Sequence, residues 1–182
     1  MRLPLIMVRE DLLNLPAPVT PAGFSHRLYR DGDRDVWAEI ETAAGEFPDV
    51  DAALRRFAEE FGPAEADMED RCFFAVDNGS GRAVATATAW YNEERGAEWG
   101  RLHWVGALPD YHGRGLGRFL VALTLERLAR DHQRAYLTTQ TTSVAAVKIY
   151  LDFGFRPSFE RPGCLEAWAH MRSLLEHPAL HE

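Results

Sequence analysis

The chain has 182 residues, 46% of them hydrophobic, and a formal net charge of −8. Those values suit a globular domain with a full core and exclude disordered and fibrous classes. The acidic balance excludes a nucleic-acid partner, which would call for a basic face, and no apolar run approaches a membrane span.

The first element is a short N-terminal strand within residues 1–10. Its apolar stretch is too short for a signal-peptide core and is broken by Pro4. Pro16, Pro18, Pro21 and Gly23 mark an extended arm, so residues 1–23 are expected to precede a domain spanning 24–182. A strand over 24–29 follows. Asp33 can cap a first helix with Val36, Trp37, Ile40 and Ala44 on one face. Asp49 caps a second, where Val50, Ala53, Leu54, Phe57 and Phe61 recur at helical spacing until Gly62-Pro63 stops it.

Two strands, 72–76 and 83–91, flank Asp77-Asn78-Gly79-Ser80-Gly81, whose residues favour a hairpin turn. Cys72 lies in the first and reads as a small buried hydrophobe. With Cys164 as the second cysteine, the chain has no CxxC pair, so neither a zinc site nor a redox motif is expected, and a reducing cytoplasm is the default location. A strand over 101–108 leads into a glycine-rich loop and a long helix bearing Leu116, Phe119, Leu120, Leu123 and Leu128. A strand at 135–139 comes next, then a helix that Ser143 can cap, with Gly154 suited to the left-handed position behind it. A last helix covers about 163–175. The order gives an α/β fold of the α+β kind: one domain, mostly antiparallel, with a parallel portion late in the chain.

The loop carries the chemistry. In His112-Gly113-Arg114-Gly115-Leu116-Gly117-Arg118, three glycines let the backbone turn tightly and approach a ligand. The free amides of a helix start, with the helix dipole, form an anion site. Arg114 and Arg118 add donors suited to phosphate. The spacing is neither that of a P-loop, which needs GxxxxGK[ST], nor that of a dinucleotide fold, which needs GxGxxG directly after a strand.

This stretch resembles motif A of the GNAT superfamily of acyl-CoA-dependent N-acyltransferases, [Q/R]xxGx[G/A], with His112 where Gln or Arg is usual. A second stretch, Ser143 to Phe155, resembles the family's motif B, NxxAxxxYxxxGF: Ser143 replaces Asn, while Ala146, Tyr150, Gly154 and Phe155 match. The resemblance covers roughly residues 70–157. The resemblance implies a single GNAT-like domain whose mostly antiparallel sheet, flanked by helices, is splayed between the strand ending near Val105 and the strand at 135–139. Acetyl-CoA would be the acyl donor, with no metal. Its pantetheine would pair along Val105, Gly106 and Ala107, its pyrophosphate would rest on Gly113 through Arg118 including Leu116 and Gly117, and His112 and Ser143 would touch it.

Tyr150 matches the family tyrosine that can protonate the leaving sulfur; a core tyrosine is the plainer alternative. Strand alternation puts Arg101, His103 and Val105 on one face, and the family resemblance makes His103 a candidate base. Glu93, Glu94 and Glu98 are alternatives. Trp90, Tyr91, Trp99 and Trp104 could wall an acceptor site. The expected acceptor is a primary amine of a small molecule. The rival readings are a hydroxyl acceptor, a protein or peptide N-acetyltransferase, and a catalytically silent CoA-binding protein. The resembled family commonly forms homodimers.

Overall fold

A computed structural model describes residues 1–91 and 95–181. Among the described residues seven strands, β1 (Pro4–Arg9), β2 (Phe24–Leu28), β3 (Cys72–Asp77), β4 (Ala83–Tyr91), β5 (Trp99–Ala107), β6 (Arg134–Gln140) and β7 (Arg156–Pro157), form one mixed sheet in the order β2-β3-β4-β5-β6-β1-β7. The chain divides into two compact units, one of Ala17–Trp90 with Leu102–Arg127, the other of Met1–Pro16, Tyr91–Arg101 and Leu128–Glu182. Strand β5 (Trp99–Ala107) contributes to both.

In the unit containing residues 17–90, β2 (Phe24–Leu28), β3 (Cys72–Asp77) and β4 (Ala83–Tyr91) are successive antiparallel neighbours. The β3–β4 turn closes through Gly81 N–H to the Asp77 carbonyl. Helix α1 (Arg34–Ala43) buries Trp37, Ala38, Ile40 and Glu41, and α2 (Val50–Glu60) buries Ala53 and Phe57. Trp37, Phe57 and Phe61 meet edge-to-face at centroid distances of 5.1–5.8 Å, an arrangement that suits the quadrupoles of the rings. Asp49 caps α2 through its carboxylate, which accepts the Ala52 N–H. Asp33 does not cap α1 in this way; its carboxylate takes the Arg27 guanidinium and the Arg30 N–H instead. With both oxygens engaged by Arg27 and the preceding turn, the carboxylate is turned away from the α1 amides. The short helix α3 (Met68–Arg71) follows, and helix α4 (Leu116–Leu128) begins in this unit.

In the other unit, β6 (Arg134–Gln140) pairs antiparallel with β1 (Pro4–Arg9), which also pairs with β7 (Arg156–Pro157). The parallel register of β5 with β6 runs from Trp99↔Arg134 to Arg101↔Tyr136. Helix α5 (Val144–Asp152) ends at Gly154, whose φ of +82° is the left-handed conformation its sequence position predicts. A Cβ there would also stand 2.7 Å from Arg9 Nη1, so glycine is required twice over. Ser143 occupies the N-cap position of α5, yet its hydroxyl makes no capping bond. Helix α6 (Cys164–Leu174) buries Ala167, Trp168 and Met171. Among the described residues no helix is long and apolar enough to cross a membrane.

Candidate active site

Three of the predicted coenzyme contacts lie at the end of β5: Val105, Gly106 and Ala107. A 3-10 turn, Pro109–Tyr111, then carries the chain into the glycine loop. Gly113 and Gly115 have φ of +74° and +83°, the region that side chains disfavour. The first i→i−4 bond into α4 is Phe119 N–H to Gly115 O, so the amides of Leu116, Gly117 and Arg118 lie ahead of the helical ladder. Residues 112–115 and Arg118 are exposed, while Leu116 is buried and anchors the helix start. A tight turn with no Cβ at Gly113 or Gly115, leading into the start of a helix, fits a pyrophosphate.

The side chains around this turn hold the loop itself. His112 Nε2 bonds the Ala107 carbonyl at 3.1 Å. Arg114 donates to the Asp110 carbonyl and lies 4.8 Å over the Tyr111 ring. Tyr111 in turn donates to Asp77 at the β3–β4 turn. Asp77 is held below the usual carboxylate range, first by the Ser80 hydroxyl and then by the Gly79 N–H.

The middle of β5 departs from the expected alternation. Leu102 and His103, adjacent in sequence, are both buried. Trp104 has φ of +46°, an outlier for a bulky residue. This turn in the strand sends two successive side chains to one carboxylate. His103 Nε2 bonds Glu60 Oε1, and Trp104 Nε1 donates to Glu60 Oε2 at 3.0 Å. Arg56 Nε stands 3.2 Å from the same Oε2. Arg101, His103 and Val105 therefore do not form one continuous face. Glu60 closes α2. The Arg56/Glu60 spacing of four is visible in the sequence, but nothing there links Glu60 to His103.

A second acid lies in the same layer. Glu41 on α1 is fully buried, and neither carboxyl oxygen has a hydrogen-bond partner. Its carboxyl sits where a Cβ on Gly106 would be, 2.8–3.0 Å from that position. Burial first, and then Glu46, push its pKa well above the usual carboxylate value, which favours the protonated form. The Trp37 indole N–H, one helical turn earlier, is also buried without an acceptor.

Of the remaining predicted residues, Tyr150 is buried on α5 with its ring 6.2 Å from Phe155, edge-to-face. Ser143 stands one residue before that helix. Trp90 packs at 4.7 Å on Phe61. Trp99 is covered by the guanidiniums of Arg95 and Arg134, so its π-face is already engaged. Glu98 pairs with Arg134 at 3.8 Å. Glu93 and Glu94 lie outside the described residues. Burial pushes the Cys72 thiol up to about 11, which leaves it unreactive. Among the described residues no group of three or more His, Cys, Asp or Glu is placed to hold a metal ion.

The chain is similar to several known proteins. A mycothiol acetyltransferase of Streptomyces bingchenggensis is 32% identical over 147 residues, 79% of this chain and 46% of that protein. One from Mycobacterium ulcerans is 29% identical over 171 residues, 83% of this chain and 53% of that protein. The chain thus spans about half the length of these curated relatives. A GCN5-related N-acetyltransferase structure from Sphaerobacter thermophilus shares the fold with a TM-score of 0.70 at 22% identity, over 85% of this chain and 48% of that one. The family model described as "Acetyltransferase (GNAT) family" matches residues 34–155, more than half of the sequence. This chain belongs to the acetyltransferase (GNAT) family.

Proposed function

We propose that this protein transfers an acetyl group from acetyl-CoA to a primary amine of a small molecule. The carrying observation is the amide cradle at Gly113 to Arg118, built on positive-φ glycines at the start of α4 within the region the family model matches. Acetyl-CoA supplies the activated thioester. The cradle holds its pyrophosphate, and the backbone of Val105 to Ala107 lines its pantetheine. His103 accepts the proton that the amine loses on attack. Tyr150 donates a proton to the departing sulfur. The name of the full-length relatives, mycothiol acetyltransferase, supports a small-molecule acceptor over a protein tail.

The test is thiol release from acetyl-CoA in the presence of small amines, beside basic peptides and hydroxyl acceptors. Amine-dependent release with the acetylated amine found by mass spectrometry is the expected outcome. Best turnover on peptides would move the assignment to a protein N-acetyltransferase. Tight coenzyme binding without release on any acceptor would favour a silent CoA-binding protein.

A further inference from the structure

We propose that Glu41 and Trp37 are specificity-determining residues that hold a hydroxyl group of the acceptor, so that the acceptor is a hydroxyl-bearing primary amine. The inference rests on the small-amine reading given above and narrows it. Both residues are fully buried on α1. Both oxygens of the Glu41 carboxyl and the indole N–H of Trp37 are without a hydrogen-bond partner. Positions four apart share one helix face, so these orphaned groups belong to one surface. A buried polar group left unpaired costs stability, and in a native protein it calls for a reason, of which ligand binding is one.

The same face of α1 follows β5. Trp37 meets the Trp104 ring edge-to-face at 5.6 Å, and the Glu41 carboxyl sits 2.8–3.0 Å from where a Cβ on Gly106 would be. One helical turn and two strand residues cover nearly the same distance, about 5–7 Å, which keeps the two elements in step. Glu41 thus lies off the face of the sheet at Gly106. A chain pairing with the backbone of Val105 to Ala107 lies in the plane of the sheet, so the Glu41 face addresses a different ligand from the coenzyme. The cover over this face is the connection from α1 to α2, in which the half-buried Phe47 packs on Trp37 at 5.9 Å and on Trp104 at 5.1 Å. Phe47 is the side chain that an entering acceptor displaces.

Hydrogen-bond capacity identifies the ligand group. The Trp37 indole can only donate, so it needs an acceptor. Glu41, with burial favouring its protonated form, offers one O–H donor and one carbonyl acceptor. An ammonium has no lone pair for the indole, and a carboxylate has no hydrogen for the Glu41 carbonyl. A hydroxyl has both and brings no charge into a buried place. The close fit of the carboxyl against Gly106 favours a group of one heavy atom over an amide. The reactive amine is not itself this group, since its lone pair attacks the acyl carbon.

The experiment measures kcat/KM for matched primary amines that carry a hydroxyl, a methyl or an amino group at the same place, such as ethanolamine, propylamine and ethylenediamine, together with longer and polyhydroxylated members of each set. In the wild type the hydroxylated amine should exceed its methyl counterpart by about 10–100-fold, because a site built to bond a hydroxyl rejects the analogue that lacks it. Glu41→Gln keeps a neutral donor and acceptor and should retain the preference. Trp37→Phe should lower it, and Glu41→Met should abolish it, with acetyl-CoA affinity unchanged by calorimetry in each variant that circular dichroism shows to be folded. Equal kcat/KM for the hydroxyl and methyl members in the wild type overturns the proposal, whether or not the variants fold. A preference for the diamine that Glu41→Gln abolishes does so too, since it would mean an ionised Glu41 holding a cation. Loss of acetyl-CoA affinity in Glu41→Met, with the hydroxyl preference intact, would give the pair to the coenzyme instead. The small-amine reading fails by a different sign: no amine of any set is acetylated, and this inference then falls with it.

Discussion

In the loop at residues 112–118 the groups proposed to hold the coenzyme are backbone amides, ordered by glycines and by a helix start within seven residues of chain. In the layer where α1 and α2 meet β5 the converging groups are side chains, and the central pair joins positions 43 residues apart. The loop's side chains are occupied in holding the loop: Arg114 on Tyr111 and the Asp110 carbonyl, His112 on the Ala107 carbonyl. The α-layer is the reverse. Its backbone is distorted at Trp104 so that its side chains can converge. A site made of backbone should be sensitive to the presence of a Cβ and tolerant of side-chain chemistry. A site made of side chains should respond to charge and protonation.

The largest expected effect lies outside both regions and separates binding from chemistry. Tyr150→Phe keeps the ring and removes the proton donor. It should lower kcat by roughly 10²–10⁴ while leaving acetyl-CoA affinity within about twofold. Steady-state kinetics with parallel calorimetry would show this; an unchanged kcat, with chemistry limiting, would return Tyr150 to a packing role.

Within the loop, Gly115→Val forces a β-branched residue into φ of +83°. Strain of that size should weaken acetyl-CoA binding by roughly 10–100-fold. Arg114→Ala should weaken it by less than about fivefold, because that guanidinium is committed to Tyr111 and Asp110. If calorimetry ranked the two the other way, the loop would be a side-chain site and the contrast would fail.

Within the α-layer, Glu41 offers a smaller effect on stability. Its pKa is raised in the folded protein, so the folded state holds a proton that the unfolded state releases above the ordinary carboxylate range near 4.3. The contribution of Glu41 to stability should therefore be most favourable below that range and fall as pH rises from it towards the folded pKa. Glu41→Met fills the same volume without the polar group. It should remove this slope and raise the Tm at neutral pH by about 2–4 °C, the shift expected for roughly 1 kcal/mol in a chain of this size. A lower Tm across the whole pH range, seen by scanning calorimetry, would mean that the carboxyl has a partner in the folded protein.

The same contrast explains what the sequence could reveal. The glycines at 113, 115 and 154, the Asp49 cap and the Asp77–Gly81 turn are local statements, in which spacing alone dictates conformation. The helices announced themselves through Trp37, Phe57 and Leu120, which recur on buried faces. The placement of β1 beside β6 was not legible, since strand pairing across more than a hundred residues has no local signature. Nor was the break in β5. Residues 101–105 read as ordinary alternation, and only the competing attraction of Glu60 for both His103 and Trp104 overrides it. Asp33 looked like a cap and became a partner of Arg27, a choice that depended on β2 lying nearby.

The central claim is that a backbone cradle binds the coenzyme through its pyrophosphate. The most direct measurement compares the affinity of the folded wild-type protein for acetyl-CoA with that for S-acetylpantetheine, which shares the thioester and pantetheine but lacks the phosphates. The account predicts that acetyl-CoA binds at least about 100-fold more tightly, as charge-assisted bonds from several amides would give. Equal affinity for the two ligands would contradict it.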